Sequence, residues 1–403
     1  MIRHGERKRL EVKILIYSHY FAPSIGGVET SVEVLARGLA AHLATNGSPE
    51  FDVAVVTNTA AGEFDDRVFP FRVVRNPGFL GLLALIRRAN IIHLAGPSFM
   101  PLLFARILRK PTVVEHHGYQ AICANGLLLH EPDRSVCPGH FQAGRFQECF
   151  HCQRSVLSSG LRSLRGLVFT KVRQVLCRGV ENVAITVHVR NRHGFLNSRV
   201  IYYGIEDPLA DGSLSSLHSS PFSKVCFAYA GRFVAEKGIH VLLEAAAQLH
   251  KQGREFEVLL IGDGPERVNV EREIQRQGLQ SRVRITGFLR GPELSSMLQR
   301  VQVVVMPSVW EETAGLAAIE QMMRGRLVIA SAIGGLGEVV GNAGLLCPPG
   351  QADVLAARMS DVIAHPEQIL ALGRQARVRA LSTFGYARMI EEHMKVYRRL
   401  APA

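Results

Sequence analysis

The feature that most constrains the fold of this 403-residue chain is a repeated alternation of short aliphatic runs with amphipathic helical patterns. In the first half, KILIYS, DVAVVT, IIHLA and TVVEHH are rich in Val, Ile and Leu and are bounded by Gly, Pro or Asn, which is typical of buried parallel strands. Between the first two lies VETSVEVLARGLAAHLA, with apolar residues at helical spacing. This alternation predicts a doubly wound α/β architecture with parallel sheets.

A second series of the same kind follows Pro208. We expect an N-terminal Rossmann-like domain over 1–205, a Ser-, Gly- and Pro-rich linker over 206–223, and a C-terminal Rossmann-like domain over 224–384. A terminal helix over 385–403 should pack back toward the N-terminal domain. The strands predicted in the second series are KVCFAYAG, FEVLLIG, RVRITGF, VQVVVMPS and LVIAS.

One region, residues 118–160, interrupts the rhythm with no clean strand or helix pattern. Long irregular loops in compact domains are usually functional or held by an added constraint. This loop contains Cys123, Cys137, Cys149 and Cys152, spaced C-x13-C-x11-C-x2-C. Four thiolates could hold a structural zinc ion. The alternative is that the cysteines are reduced packing residues or undergo reversible oxidation.

The net charge of +12 is concentrated in the first half, where residues 1–200 contain 25 Lys/Arg against 14 Asp/Glu. Such a surplus fits an anionic membrane surface, an acidic acceptor or nucleic acid, although a basic surface without a partner is also possible. There is no uninterrupted apolar run of about 18 residues and no secretory signal pattern. We therefore expect a cytoplasmic protein, with peripheral contact at the inner face of the cytoplasmic membrane.

The most informative motif is PSVWEETAGLAAIEQMMRG, residues 307–325. It follows a predicted strand, and ligands of doubly wound sheets bind beyond the carboxyl ends of the strands. Glu312 and Glu320, eight residues apart, could accept hydrogen bonds from two sets of hydroxyls, and the helix that begins near Gly315 offers free N–H groups. The alternative is that both acids merely interact with the helix dipole.

Two further strand ends have basic or glycine-rich sequences. In AGRFVAEKG, Arg232 offers a planar guanidinium and Lys237 a point charge, and together they could neutralise a diphosphate. In FAPSIGGVE, the pair Gly26-Gly27 would let the backbone approach a ligand closely, although a tight structural turn explains the pair equally well.

A fourth strand, in VVEHHGYQ, ends at His116 and His117. A histidine at the carboxyl end of an N-terminal strand would face the crevice between the two domains. Most histidines are structural or face solvent, so this position is informative only together with the other motifs.

Together these segments resemble the retaining GT-B glycosyltransferases of family 4 over essentially the whole chain. The family pattern P-x2-GG-x-E matches Pro23 through Glu29, and G-R-x4-K-G matches Gly231 through Gly238. G-D-G-P matches Gly262 through Pro265, E-x7-E matches Glu312 and Glu320, and a G-G-x2-E segment matches Gly334 through Val339. The implied fold is GT-B, in which two Rossmann-like domains face each other across a cleft.

The resemblance also implies roles for individual residues. Arg232 and Lys237 would stabilise the departing nucleoside diphosphate, Glu312 would bind hydroxyls of the donor sugar, and Glu320 would bind the ribose. His117 would hydrogen-bond the donor sugar. The remaining donor-binding residues implied are Gly26, Gly27, Gly231, Phe288, Thr313, Ala314, Gly315 and Leu316.

The implied reaction transfers a hexose from a UDP- or GDP-sugar, with retention, to a lipid-linked or envelope/exopolysaccharide acceptor. No D-x-D motif lies in a suitable context, so no metal cofactor is expected for catalysis. The chain departs from the family at Thr313, Ala314 and Gln321, which concerns the identity of the donor sugar. The alternatives are another GT-B sugar-nucleotide enzyme, such as an epimerase or a phosphorylase, and a basic nucleic-acid-binding protein, for which no motif is present.

Two segments combine apolar and Arg-rich faces, namely residues 79–89 and 161–179. Basic amphipathic helices can lie in an anionic membrane interface. Ordinary core helices with a solvated basic face would give the same pattern.

Overall fold

The computed structural model describes residues 11–44, 47–157, 159–210 and 224–401. The first half forms a seven-stranded parallel sheet with the strand order β3-β2-β1-β4-β5-β8-β9, together with a separate small hairpin, β6-β7. Aliphatic side chains on both faces of the sheet are buried, which explains the near-continuous apolar runs. Its strands are β1 (Val12–Ser18), β2 (Phe51–Thr57), β3 (Arg72–Arg75), β4 (Ile91–Ala95), β5 (Thr112–His116), β6 (Leu129–His130), β7 (Ser135–Val136), β8 (Glu181–Ala184) and β9 (Ser198–Val200).

Within the described part of this half, six helices accompany these strands. The first begins directly at the predicted Gly26-Gly27 pair and buries one apolar face against the sheet. The helices are α1 (Gly27–Ala40), α2 (Phe79–Arg88), α3 (Phe99–Ile107), α4 (Phe146–Leu157), α5 (Gly160–Cys177) and α6 (Val187–His193), and a 3-10 turn covers Asp66–Val68.

The second half forms a six-stranded parallel sheet with the order β12-β11-β10-β13-β14-β15. Its strands are β10 (Val225–Ala230), β11 (Phe256–Ile261), β12 (Val283–Gly287), β13 (Val303–Met306), β14 (Leu327–Ser331) and β15 (Leu345–Cys347). A 3-10 turn covers Ala235–Lys237, and the helices are α7 (Ile239–Lys251), α8 (Arg267–Arg276), α9 (Gly291–Gln299), α10 (Leu316–Met323), α11 (Gly334–Val340), α12 (Ala352–Ala364), α13 (Glu367–Phe384) and α14 (Tyr386–Leu400).

The prediction of two parallel-sheet α/β domains is confirmed. The chain crosses between the domains twice, and the two crossings are bonded to each other. Ile205 N–H donates to Phe384 O at 2.8 Å, and Tyr386 N–H donates to Ile205 O at 3.1 Å. Of the predicted linker, residues 211–223 lie outside the described residues.

Helix α14 returns to the N-terminal domain and packs on α1. Its Met389, Ile390, Met394 and Tyr397 belong to the hydrophobic core that β1 and α1 also build. The last helix therefore couples the C-terminal segment to the N-terminal sheet.

The expectation of a loop without regular structure over 118–160 was wrong in part. This region contains the β6-β7 hairpin and the twelve-residue helix α4. Only Cys152 and Gln153 of α4 are buried, so the helix has no apolar stripe from which it could have been recognised.

Candidate functional site

The predicted site residues lie on loops at the carboxyl ends of parallel strands or on the helices that follow these loops, where the two sheets face each other. The domains touch directly there, because Thr186 donates to Thr313 O at 2.7 Å and Arg192 bonds Glu311 at 2.8 Å. A β-carbon on Gly27 would stand 3.4 Å from Cδ2 of Leu316, so the glycine loop faces the start of α10 across the crevice.

Lys237 and Glu312 form an ion pair in the C-terminal wall of the crevice. Lys237 Nζ lies 2.8 Å from Glu312 Oε1, and the same carboxylate oxygen accepts a hydrogen bond from the Ser308 hydroxyl. Glu312 is only 5% exposed, whereas one fifth of the Lys237 side chain reaches solvent. The ammonium is thus held in place and remains accessible from the crevice.

The chain brings these two residues together through a very close approach of their loops. Gly238 has a left-handed backbone (φ 69°), and a β-carbon there would collide with the carbonyl oxygen of Pro307. Val309 N–H donates to Glu236 O at 3.0 Å, which joins the two loops. The Lys237 ammonium also lies 5.9 Å from the centre of the Trp310 ring, within range of a cation–π contact.

Arg232 follows the neighbouring strand β10 and is exposed. Its carbonyl oxygen accepts a hydrogen bond of 2.7 Å from the Tyr229 hydroxyl, which fixes the backbone of the loop. Burial raises the pKa of Tyr229, the Glu312 charge raises it further, and the Arg232 charge lowers it. Arg232 thus lies on the loop after β10 that also carries Lys237.

The loop between Glu312 and Leu316 is shaped by tight glycine packing. The Gly335 N–H donates to Glu312 O at 2.6 Å, and a β-carbon at Gly334 or Gly335 would collide with the backbone of this loop. Gly315 adopts φ 85° immediately before α10. The first N–H groups of a helix have no partner within the helix, and those of α10 lie beside Thr313 and Ala314 at the crevice.

Glu320 lines a crevice cavity of about 640 Å³ that both domains form. Thr30, Val34 and Tyr203 contribute from the N-terminal side, and Leu316 lies beside Glu320 on the other side. Burial raises the pKa of the Glu320 carboxyl, and the nearby Arg324 counteracts this only in part. A partly buried carboxylate without a strong cationic partner can readily accept hydrogen bonds from ligand hydroxyls.

Phe288 lies after β12 and is 58% exposed, with the Arg290 guanidinium 4.8 Å from its ring centre. Arg290 lines a groove together with Pro23 and Ile25 of the opposite domain. Phe288 is therefore near the crevice, at the edge of the C-terminal wall. Gly231 is also exposed, and its N–H donates to Ile261 O at 3.0 Å.

His116 and His117, at the end of β5, have different partners. His116 is buried and bonds Asn182 at 2.8 Å, a structural contact. His117 Nδ1 lies 2.8 Å from the Tyr203 hydroxyl, and burial lowers the pKa of His117 although the Glu115 charge raises it. His117 is therefore the histidine that faces the crevice.

A second cavity of about 390 Å³ lies on the N-terminal side of the crevice. It is lined by His117, Tyr20, Glu29 and Gln120, and also by Arg173 of α5. Burial lowers the pKa of Arg173, and its Nε has no hydrogen-bond partner within the described residues. This polar cavity can accommodate a group rich in hydroxyls or carrying negative charge.

The four loop cysteines are free thiols that converge on Asn125 and the β6-β7 hairpin. Cys123 Sγ lies 2.8 Å from Asn125 Oδ1, and Asn125 Nδ2 lies 3.7 Å from Cys152 Sγ. Cys149 lies close enough to the other three for their charges to affect its pKa, which burial raises first. Among the described residues, no three of these Sγ atoms lie within 4.8 Å of one another, so the thiols are more widely spaced than in a closed tetrahedral zinc site.

Several residues of the site were not predicted. Ser308 and Trp310 lie in the same strand-end loop as Glu312, so the rule that identified Glu312 could also have included them. Tyr203 bonds His117 across 86 positions of sequence, and Arg173 lies in the segment 161–179, which was predicted as a basic amphipathic helix and not as part of the site. No local pattern indicates that these two residues line the crevice.

Comparisons with known proteins identify the C-terminal half. Residues 218–379 match the family Glycosyl transferases group 1. The 2-deoxystreptamine glucosyltransferase of Streptomyces kanamyceticus is 38% identical over 159 residues, which are 39% of this chain and 41% of that protein. The alpha-D-kanosaminyltransferase of the same organism is 36% identical over 141 residues, or 34% and 36% of the two chains. The matched region thus spans about two fifths of each of these curated relatives.

Solved structures resemble the whole fold. Anabaena HepE, solved in complex with UDP-glucose, matches with a TM-score of 0.70 and 18% identity, over 96% of this chain and 100% of that one. Sucrose-phosphate synthase from Thermosynechococcus elongatus matches with a TM-score of 0.70 and 21% identity, over 97% and 99%. The chain has the GT-B fold of these proteins, and residues 218–379 in its C-terminal half are similar to the family Glycosyl transferases group 1.

Proposed function

We propose that this chain is a retaining, metal-independent glycosyltransferase that moves a hexose from a UDP- or GDP-sugar to a lipid-linked or envelope/exopolysaccharide acceptor. The observation that carries the proposal is the fixed Lys237–Glu312 pair in the wall of an interdomain crevice, with Arg232 on the same loop as Lys237. The Glycosyl transferases group 1 match over residues 218–379 supports the class of reaction. Both curated relatives from Streptomyces kanamyceticus are also named as glycosyltransferases.

The donor would lie along the C-terminal wall. The diphosphate meets Lys237 and Arg232, the ribose hydroxyls donate to Glu320, and Phe288 lies beside the base. Glu312 accepts hydrogen bonds from the sugar hydroxyls, while the N–H groups at the start of α10 face the sugar and the distal phosphate. UDP-glucose bound to the structurally similar HepE supports a nucleotide-sugar donor.

The chemical step breaks the bond between C1 of the sugar and the oxygen of the distal phosphate. The acceptor oxygen forms its bond to C1 on the same face, and its proton passes to the departing phosphate oxygen. Negative charge grows on the diphosphate as the bond breaks, so fixed cations directed at it lower the barrier. In this scheme Lys237 and Arg232 supply the positive charge that other enzymes obtain from a metal ion.

The acceptor would enter from the N-terminal side, through the 390 Å³ cavity lined by His117 and Arg173. Arg173 lies on α5, whose opposite face is exposed. A lipid-linked acceptor held near α5 could therefore present its head group to the cavity. One relative from Streptomyces kanamyceticus is a 2-deoxystreptamine glucosyltransferase, so 2-deoxystreptamine should be tested as a competing acceptor.

The exposed face of α5 has the character of a membrane-binding surface. Leu161, Leu164, Val168 and Val175 recur at spacings that place them on one side of the helix, and all are more than half exposed. Basic residues flank this apolar stripe: Arg162, Arg165, Lys171 and Arg178.

The adjoining helices extend the same surface. Phe99 of α3 packs on Phe169 of α5, and Phe79 of α2 packs on Phe104 of α3. None of α2, α3 and α5 contains an acidic residue, and Leu80 of α2 is 76% exposed. No helix among the described residues is both long enough and apolar enough to cross a bilayer. We infer peripheral binding to the inner face of an anionic membrane, where each basic residue near the surface contributes about 1 kcal/mol.

Membrane binding is tested by sedimentation with phosphatidylglycerol-containing vesicles. The double variant Leu164→Ser/Val168→Ser should bind several-fold more weakly than the unmodified protein. Val378→Ser is the matched control, because Val378 is 69% exposed on the C-terminal domain and should not affect binding. Equal vesicle binding by all three proteins would contradict the inference.

The reaction is tested with a panel of UDP- and GDP-sugars, by measuring release of UDP or GDP with and without acceptors. Proton NMR of the glycoside formed gives the anomeric configuration. Retention with at least one donor is expected. Inversion, or nucleotide release with none of the donors, would contradict the proposed reaction.

A further inference from the structure

Arg173 is a partly buried cation for which the described part of the fold provides no counter-charge. It lies on α5 and lines the 390 Å³ cavity beside His117. Its Nε is buried and has no hydrogen-bond partner within the described residues. Burial lowers the pKa of Arg173, only the Cys177 thiol opposes this, and no described carboxylate contributes. The guanidinium therefore lacks the anionic partner that a buried cation needs.

Other buried arginines of this chain are satisfied by the protein itself. The Arg75 side chain is 10% exposed, and its guanidinium pairs with Asp66 at 2.6 Å. Arg326 is 3% exposed and donates hydrogen bonds to two main-chain carbonyl oxygens. Arg173 differs from both, because its partner has to come from solvent or from a ligand in the cavity.

The position of Arg173 on α5 places it away from the proposed membrane surface. Arg173 follows the buried Thr170 by three residues and precedes the buried Cys177 by four, and these spacings bring the three side chains to one side of the helix. Leu164 and Val168 of the exposed apolar stripe lie on the other side. Arg173 is therefore available to the cavity and not to the membrane.

The cavity also contains a carboxylate, which lies beside the donor wall. Glu29 lines the cavity from the first turn of α1, and its Oε1 accepts a hydrogen bond of 3.4 Å from the Ser24 hydroxyl. Two residues earlier, the β-carbon position of Gly27 is 3.4 Å from Leu316 of α10. The cavity thus offers a hydrogen-bond acceptor for hydroxyls next to the crevice and a cation on α5.

We propose that this cavity takes an acceptor with an anionic oxygen group, a phosphate or a carboxylate, and that Arg173 binds that group. This inference rests on the proposed function, because it names the class of acceptor for the same crevice. A guanidinium can bind either group through two parallel hydrogen bonds. Arg173 is then a specificity-determining residue. A neutral sugar leaves its charge unpaired, and a cationic aminocyclitol such as 2-deoxystreptamine is repelled.

Two kinds of acceptor carry such a group. In a lipid-linked sugar it is the phosphate next to the sugar, and in an acidic polysaccharide it is the carboxylate of a uronic acid. The membrane surface proposed on the other face of α5 fits the first kind. Binding of a sugar phosphate and of a uronic acid separates the two.

The anion preference is tested by the binding of small probes to the full chain, measured by NMR or calorimetry. UDP or GDP is present at saturation, so that the donor site is occupied. The probes are glucose 1-phosphate, methyl glucuronide, the neutral methyl glucoside and 2-deoxystreptamine. At least one anionic probe should bind about tenfold or more tightly than methyl glucoside, and 2-deoxystreptamine should bind more weakly. The tighter of the two anionic probes identifies the phosphate or the carboxylate as the group that is bound.

Variants of Arg173 show whether this preference arises in the cavity. In Arg173→Met the anionic and neutral probes should bind equally well, and Arg173→Lys, which keeps the charge without the planar fork, should retain part of the preference. Arg154→Met is the matched control, because Arg154 is exposed on the neighbouring helix α4, and it should retain all of the preference. Without ligand, Arg173→Met should unfold at the same urea concentration as the unmodified protein or higher, because it removes a cation that has no partner.

Three results would overturn the proposal. The first is equal or undetectable binding of the anionic and neutral probes by the unmodified protein. The second is an anion preference that persists in Arg173→Met. The third is a clearly lower urea midpoint for Arg173→Met, which would make Arg173 a structural residue.

Failure of the proposed glycosyltransferase reaction would be seen separately. It would appear as the absence of both UDP and GDP binding and of donor hydrolysis. Anion binding that is lost in Arg173→Met and kept in Lys237→Met would still belong to this cavity, because Lys237 lies in the other domain.

Discussion

Replacing Lys237 by methionine removes the ammonium and keeps most of the side-chain volume. In the proposed reaction this ammonium stabilises the charge that grows on the leaving diphosphate. Loss of one such fixed donor typically lowers kcat by about 10²–10³, or roughly 2.7–4 kcal/mol of transition-state stabilisation. We expect Lys237→Met to fall in this range when UDP or GDP release from the best donor is measured.

The same substitution should also lower stability, since it leaves Glu312 buried without its cation. Removing one partner of a fully buried pair costs about 3–5 kcal/mol. The Lys237 side chain is 20% exposed and Ser308 still donates to Glu312, so we expect a smaller loss of about 1–3 kcal/mol in urea unfolding. Adding Glu312→Gln should restore most of this stability without restoring activity.

Lys251→Met is the matched control, because Lys251 lies at the exposed end of α7, the helix that follows Lys237. It should change neither kcat nor the urea midpoint appreciably. If Lys237→Met keeps kcat within about threefold of the unmodified protein, less than roughly 0.7 kcal/mol of barrier, the reasoning about diphosphate stabilisation is refuted.

Three further predictions concern pH and metals. Burial raises the pKa of the Glu320 carboxyl, so the folded chain binds the carboxyl proton more tightly than the unfolded chain does. The folded chain therefore loses stability as pH rises through the pKa of Glu320 in the folded state. Glu320→Gln should therefore raise Tm at neutral pH, and this increase should disappear toward about pH 4. The same variant should bind UDP or GDP more weakly in calorimetry. An unchanged Tm and an unchanged affinity would contradict this prediction. If the loop cysteines hold zinc, elemental analysis should find about one zinc per chain, and the double variant Cys149→Ser/Cys152→Ser should contain none. Unmodified protein without zinc would exclude a zinc site at these cysteines. EDTA should leave donor hydrolysis largely intact in a short assay, and its abolition would contradict the metal-independent scheme.

The parallel strands could be predicted because their signal is local. IIHLA and LVIAS coincide with β4 and β14, and most other runs differ from the observed strands by one or two residues at the ends. A strand buried on both faces needs an aliphatic run, and that requirement appears directly in the sequence.

The meeting of Lys237 and Glu312, which form part of the proposed donor site, was predictable for a related reason. Lys237 and Glu312 both follow strands, and the carboxyl ends of β10 and β13, which are neighbours in the sheet, necessarily meet at one edge. Sequence alone could not show that they bond each other, because this depends on the approach of Gly238 to the Pro307 backbone.

The buried contacts of Glu115 with His93 and His393 were not predictable, because these residues come from distant segments. They have no common motif, and His393 reaches the sheet only because α14 crosses back onto α1. The same limit applies to Tyr203 beside His117. Long-range pairing of polar side chains leaves no periodic signal in a single sequence.

The central claim is that a nucleoside diphosphate binds between the two domains with its phosphates on Lys237 and Arg232. A crystal structure of the chain with UDP, and a second with GDP, tests this most directly. The account predicts phosphate oxygens within hydrogen-bonding distance of the Lys237 ammonium and the Arg232 guanidinium, and the ribose hydroxyls at Glu320. A nucleotide bound outside the crevice, or bound in the crevice with its phosphates away from both cations, would contradict it.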